Sequence, residues 1–261
     1  MRMTRELLSL HDAEVRIDGR TVLSVPEFSI DEGERLVVLG PNGSGKSTLI
    51  KMLTRELQPV WHEEPPLLFR GSRNASLEEI NRVIGVVSTS IEERMVVHRS
   101  ALDIVLGGYF GSVGVPFRRA VTPEQDRAAR QILRDMGLAS LASRDMKTLS
   151  TGQMRRVLIA RALVNAPEVI VFDEPCTGLD VAAKWDLRET FSALGHAGRT
   201  MMLVTHDVAD IVPEFDRVVV LREGKIIADG PKDEVLTTAM LRRLFGVPVT
   251  LYETDGRYHL Q

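Results

Sequence analysis

The chain has a single cysteine, Cys176, so no internal disulfide can form, and no run of Cys and His stands at zinc-ligand spacing. A reducing cytoplasm fits that usage. An excess of charge of one sign is also missing: 33 Lys and Arg against 36 Asp and Glu leave a net charge of -3. The basic residues are spread along the chain, without the footprint that drives phosphate-backbone binding by counterion release, so nucleic acid is not a favoured partner. No stretch approaches the ~20 apolar residues needed to span a bilayer. Residues 1–10 carry Arg2, Arg5 and Glu6 around short apolar pieces, unlike the continuous core of a secretory signal. They read as the approach to a first strand. Any membrane role then needs a separate membrane partner. No internal repeat is evident. What is present is 261 residues at 44% hydrophobic content, enough to bury a substantial core in one large α/β domain or in a core with a subdomain.

Gly40-Pro41-Asn42-Gly43-Ser44-Gly45-Lys46-Ser47-Thr48 is the most informative stretch. It lies between an apolar strand pattern over residues 35–39 and a helical pattern starting near Thr48. In that context the glycines let successive backbone N–H groups turn inward around phosphates, Lys46 adds a point charge at the β/γ end, and Ser47 offers a hydroxyl to Mg²⁺. The helix that follows points its positive end at the same anion. Nucleotide binding follows.

The rest of the chain alternates strands and helices. Residues 7–30 read as an antiparallel hairpin, with Val15 and Ile17 before an Asp18-Gly19 turn and Val22, Leu23 and Val25 after it. Pro59, Pro65 and Pro66 forbid an uninterrupted helix over residues 58–76, which read as a loop with edge strands. A buried strand is expected over 83–87. Residues 99–161 turn helical, most clearly where Ala128, Ala129, Ile132, Leu133 and Met136 recur at helical spacing. Strands return over 169–172, 201–205 and 218–221, with a helix over 182–194. This order favours a mostly parallel sheet with helices on its faces.

Val169-Ile170-Val171-Phe172-Asp173-Glu174 ends an apolar strand on two acids. A buried parallel strand of this kind brings its C-terminal tip to the nucleotide crevice. Asp173 is placed to hold Mg²⁺ through its water shell, and Glu174 to accept a proton from the attacking water.

With these two motifs in order, the sequence resembles the nucleotide-binding subunits of ATP-binding-cassette (ABC) transporters over nearly its whole length. Leu149-Ser150-Thr151-Gly152-Gln153 looks like the family's signature motif, Thr177-Gly178-Leu179-Asp180 like its D-loop, and His206 like its switch histidine. The resemblance implies a P-loop NTPase (RecA-like) core with a mostly parallel sheet, an N-terminal antiparallel β subdomain and an α-helical subdomain over about residues 90–160. All 261 residues would form one ABC ATPase domain. It implies a Mg²⁺-dependent ATPase in which two cassettes face each other head to tail, so that the phosphate loop of one and the signature of the other enclose each ATP. Ser150, the Gly152 N–H and a helix beginning near Gln153 form a second anion site, useful only against another subunit's γ-phosphate. Glu174 and His206 would be catalytic, and Asp180 would cross the dimer interface. The implied partners are a second copy or second ABC subunit, an integral membrane permease gripping the region near residues 90–114, and a solute-binding protein if the system imports. The implied location is cytoplasmic, on the inner face of the cell membrane. A soluble ABC ATPase acting on nucleic acid or ribosomes is the alternative, and a regulatory ATP-binding module without turnover is a third class.

Three positions depart from the family pattern. Ile17 stands where an adenine-stacking aromatic is usual and supplies no π-face. No glutamine ends the strand near Val86-Val87-Ser88-Thr89, which leaves Thr89 or Glu92 as its substitute. Thr151 replaces a glycine and narrows the allowed backbone. Cys176 between Pro175 and the D-loop, with Val87-Ser88-Thr89-Ser90 and residues 107–114, looks like the molybdenum-transport or photorepair branch. Leu244-Phe245-Gly246-Val247-Pro248-Val249 is similar to ATPases of metal-chelate importers. Molybdate and an iron chelate are thus both candidate cargoes. Cys176 also reads simply as a small buried residue.

Overall fold

The computed structural model describes residues 5–61, 63–73 and 75–261. Its first elements are the expected hairpin, β1 (Glu6–Ile17) and β2 (Arg20–Asp31), antiparallel and joined at Asp18-Gly19. Leu10 faces Phe28 and Val15 faces Leu23 across the pair, and all four side chains are buried. β3 (Arg35–Leu39) leads into α1 (Lys46–Leu53). The Pro-interrupted stretch supplies β4 (Leu67–Phe69), which pairs with the outer side of β1 as an edge strand. His62 and Asn74 of that stretch, and residues 1–4 of the expected approach, lie outside the described residues.

Next come α2 (Leu77–Val83), β5 (Ile84–Ser88), α3 (Thr89–Arg94), α4 (Ala101–Gly107), α5 (Pro123–Asp135) and α6 (Thr151–Leu163). The expected strand is thus shifted by one residue, because Val83 closes α2. The helical expectation over 99–161 resolves into three helices separated by loops and short 3-10 turns, and α4, α5 and α6 pack on one another. α5 is entered through a capping box, Thr122 and Gln125 each satisfying the other's backbone N–H, with Pro123 in the first turn. Its Ala129 and Leu133 face the core. The chain returns to the sheet as β6 (Val169–Asp173), α7 (Val181–His196), β7 (Thr200–Thr205) and β8 (Arg217–Arg222). Beyond the sequence expectations lie β9 (Lys225–Pro231), α8 (Lys232–Val235), α9 (Thr238–Phe245) and the separate hairpin of β10 (Leu251–Thr254) and β11 (Arg257–Leu260).

Among the described residues, nine strands form one sheet in the order β4-β1-β2-β9-β8-β3-β7-β6-β5. Its β8-β3-β7-β6-β5 half is parallel throughout. Alternate residues of a strand face opposite sides, so one face of this half carries Leu36, Val38, Val171, Val204 and Val219 into a core shared with the β1-β2 hairpin and α1. The other carries Val37, Leu39, Phe172, Leu203 and Val220 into a core shared with α4, α6 and α7. Both faces are covered, as near-continuous apolar strands require. Phe172 meets Phe191 of α7 at 4.7 Å between ring centroids, and Phe191 meets Phe215 at 6.5 Å. These contacts press α7, which carries the D-loop at its start, onto the strand that ends in Asp173. Among the described residues no helix is long and apolar enough to cross a membrane.

Candidate functional site

The phosphate loop leaves β3 between β8 and β7, at the C-terminal edge of the parallel strands. Two backbone bonds shape it: the Ser44 N–H donates to Pro41 O at 3.2 Å, and the Gly224 N–H donates to Ser44 O at 2.9 Å. Gly45 then turns the chain at φ 105, a conformation that strains any residue with a β-carbon. The turn lets α1 begin at Lys46, two residues before the expected Thr48. No side chain caps this helix, so its first N–H groups are left for an anion. Lys46 is 5% exposed and donates from Nζ to Gly40 O at 2.7 Å and Pro41 O at 3.1 Å. Its Nζ also lies 3.2 Å from Glu174 Oε1.

β6 runs beside β7, with Asp173 opposite Val204. Glu174 steps out of the strand at φ 50, a left-handed conformation that costs a non-glycine residue about 1–2 kcal/mol. It is held there by its N–H bond to Val204 O at 2.9 Å. The kink delivers its carboxylate to three groups: Lys46, the Thr177 hydroxyl, which donates at 3.1 Å, and His206 Nδ1, 2.6 Å away. Asp173 Oδ1 is buried with no hydrogen-bond partner. Burial, and then the charge of Glu174, push the Asp173 carboxyl up to about 6 against the opposing pull of Lys46 and Lys51. No group of three or more His, Cys, Asp or Glu among the described residues is placed to hold a metal by itself.

That raised value has a consequence for stability. Between its ordinary value of 3.8 and about 6, the folded protein keeps a proton that the unfolded chain has released. Asp173 therefore destabilises the fold increasingly as pH rises through that window, and its effect is constant above it. Asp173→Asn is expected to melt higher than the parent at neutral pH without nucleotide or divalent metal, with the difference closing toward pH 4. Calorimetry at both pH values checks this, and a pH-independent difference would refute it.

The signature residues form a second group. Ser150 caps α6, its Oγ accepting from the Gln153 N–H at 3.2 Å while Gln153 Oε1 accepts from the Ser150 N–H at 3.1 Å. α6 therefore starts at Thr151 rather than near Gln153, because this box already ends the loop. Thr151 avoids the left-handed region, so a glycine is not needed there. Gly152 is needed for space: a β-carbon on it would stand 2.7 Å from the Ala183 β-carbon. Asp180 accepts from the Ala183 N–H at 2.8 Å and caps α7. The starts of α6 and α7 are thus packed on each other, with Ser150, Thr151 and Asp180 exposed.

Lys46, Asp173, Glu174 and His206 are brought together, and Ser150, Gly152 and Asp180 stand in the second group, joined to the first by the loop from Glu174 to Asp180. Ile17 is 44% exposed at the end of β1. Of the two residues considered for the missing glutamine, Thr89 is exposed, and Glu92 turns to Arg155, whose Nε donates to it at 2.7 Å. The residue level with Asp173 at the end of β5 is Ser88, whose Oγ caps α3. Two buried groups escaped the sequence reading. Arg155 is 4% exposed and reaches the carbonyls of Pro175 and Thr177. Asp210 is 3% exposed, accepts from Thr205 Oγ1 at 2.9 Å and Arg188 Nη2 at 3.3 Å, and steadies the strand end before His206. Cys176 is buried, and burial with the neighbouring Asp210 raises its thiol far above the ordinary range. It is a small core residue.

Comparison with known proteins places this arrangement. The profile of the ABC transporter family matches residues 23–177. The chain is 32% identical to the ABC transporter ATP-binding protein YlmA of Bacillus subtilis, over 96% of this chain and 95% of that one. It is 35% identical to the Fe(3+) ions import ATP-binding protein FbpC of Streptomyces avermitilis, over 88% of this chain and 64% of that one. A metal-chelate type ABC transporter, solved in an inward-facing conformation, superposes with a TM-score of 0.77 at 25% identity, covering 98% of this chain and 96% of the other. The chain belongs to the ABC transporter family, as an ATP-binding, ATP-hydrolysing subunit with a mixed α/β cassette fold.

Proposed function

We propose that two copies of this chain close head to tail around two ATP molecules and hydrolyse them to drive import through a separate membrane permease. The observation that carries this reading is the split of the site. Lys46, Glu174 and His206 converge within one subunit, while the exposed N-terminus of α6, with Ser150 at its tip, makes its capping bonds to itself and leaves a hydroxyl proton and amide groups for a phosphate from elsewhere. Residues 40–48 hold the phosphates. Ser150, Thr151, Gly152 and Gln153 meet the partner's γ-phosphate, and Asp180 stands at the interface.

A divalent cation fits the unpartnered Asp173 oxygen. Asp173 and Ser47 would hold Mg²⁺, which would neutralise charge on the β- and γ-phosphates. Glu174 accepts the water's proton, and His206, 2.6 Å from it, orients the water and contacts the γ-phosphate. Hydrolysis removes the contact that favours the closed pair, and the subunits open.

The permease fits a groove of about 1180 Å³ between α3, the turn following α4, and α6. Arg55, Arg94, Arg119 and Arg161 line it, and burial together with Arg94 holds the Arg161 guanidinium below its usual range. An acidic segment of the permease would relieve that repulsion. Seated there, a single cassette domain, with α4–α6 as its helical lobe, lies on the inner face of the cell membrane. The likeness to an iron import ATPase supports import, with a solute-binding protein outside, and the likeness to a metal-chelate type transporter supports a metal chelate as the cargo class.

The test is oligomeric state. Purified Glu174→Gln is expected to run as a monomer without nucleotide and as a dimer with ATP. If it stays monomeric with ATP at high concentration, the closed pair is refuted.

A further inference from the structure

We propose that Arg155 and Glu92 form a positioning linkage that ties the groove helix α3 to the D-loop and the signature helix, so that α3 sets the geometry of hydrolysis. This rests on the closed-pair reading and the permease groove proposed above. Arg155 lies on the second turn of α6 and is 4% exposed. Its Nε donates to Glu92 Oε2 at 2.7 Å, and its Nη1 donates to Thr177 O at 2.9 Å and to Pro175 O. One planar group therefore joins three segments: α3, the start of α6, and the loop from Glu174 to Asp180.

The three segments have different duties. α3 contributes Ile91 and Arg94 to the groove wall and follows Ser88, level with Asp173. α6 presents Ser150. The Pro175 and Thr177 carbonyls lie between Glu174 and Asp180, so fixing them fixes how far the D-loop stands from the carboxylate. Only a guanidinium offers donors in the fork needed to bridge a carboxylate and two carbonyls, and a lysine in its place would satisfy fewer of them. A displacement of α3 is passed to Arg155 through a charge-assisted contact in a buried setting, where such contacts are strong and directional. Glu92, whose carboxylate is taken up by Arg155, thus acts through that residue and not on the nucleotide.

The test separates this role from plain support of the fold. Glu92→Gln removes the charge at nearly constant shape, and Arg155→Lys keeps a cation but breaks the fork. Each is read for ATP affinity of the monomer, steady-state kcat and KM, and ATP-driven dimerisation in a Glu174→Gln background. The expected result is monomer ATP affinity and KM within about twofold of the parent, with kcat and dimer affinity each lower by about tenfold. If kcat and dimer affinity stay within twofold in both variants, the linkage is refuted. If both variants lose the folded, ATP-binding monomer, the pair is a structural support and the proposal is equally overturned. Glu174→Gln with Glu92 intact is the reference. Its failure to dimerise counts against the closed pair, and the kcat comparison then still decides the linkage.

Discussion

Glu174→Gln is expected to lower kcat by on the order of 10² to 10⁴ while leaving MgATP affinity close to that of the parent. Glu174 sits at a left-handed φ of 50, a strain kept where the chain could otherwise have continued β6. Its effect is to place one carboxylate 3.2 Å from Lys46 and 2.6 Å from His206. Without nucleotide, the carboxylate is the counter-ion of Lys46. In the proposed mechanism, when the γ-phosphate takes that lysine, the Glu174 carboxylate is released from it and left to the water to be activated. Glutamine keeps the shape and the Thr177 contact but cannot take a proton. It also removes a negative charge facing the phosphate, so binding is not weakened. Steady-state hydrolysis and equilibrium nucleotide binding, measured on the same preparation, decide the matter. Parental turnover in the variant would remove Glu174 from its role.

How much of this site could be read from the sequence depended on whether a residue's partner was near it in the chain. Lys46 and its loop were legible because the phosphate loop is local: a strand, a glycine turn and a helix start within nine positions, each imposed by backbone geometry. The β1-β2 hairpin and β6 were legible for the same reason, as period-two and continuous apolar patterns with a turn or an acid at the end. α1 and α6 each start two residues before the sequence pattern implies, at Lys46 and Thr151, because the polar residues before the apolar stripe already belong to the first turn. The C-terminal strands β9, β10 and β11 gave no pattern to read, because they are partly exposed and mixed in character.

The long-range couplings were not legible at all. Arg155 reads as one basic residue in a helix rich in them, and nothing local says that it is buried. Its partners come from residues 92, 175 and 177, which only the fold brings to one point. The same is true of Asp210, whose bonds to Thr205 and Arg188 steady the approach to His206. Sequence position alone makes Glu92 a candidate for the missing glutamine. The structure gives its carboxylate to Arg155, because a buried guanidinium without a counter-charge is costly.

Lys46→Ala is expected to weaken MgATP binding by roughly 10- to 150-fold and to take hydrolysis down with it. The lysine makes two hydrogen bonds to carbonyls of its own loop and one ion contact to Glu174. All three are available in the nucleotide-free protein, so its affinity contribution is the difference between phosphate and these partners, not the full attraction to a phosphate. A charge-assisted bond of that kind is worth about 1.5–3 kcal/mol net, which gives the stated range. Two effects then add in the alanine variant. The Gly40 and Pro41 carbonyls lose a donor, which loosens the loop, while Glu174 loses the cation beside it and is left facing the γ-phosphate as an unscreened like charge. The second effect is the larger for binding, because it acts only when nucleotide is present. It follows that Lys46→Ala combined with Glu174→Gln should bind ATP more tightly than Lys46→Ala alone, though it will not hydrolyse it. Equilibrium titration of the two variants measures this coupling. Equal affinities would show that Glu174 does not sense the phosphate, and would undercut the assignment of that carboxylate to the attacking water.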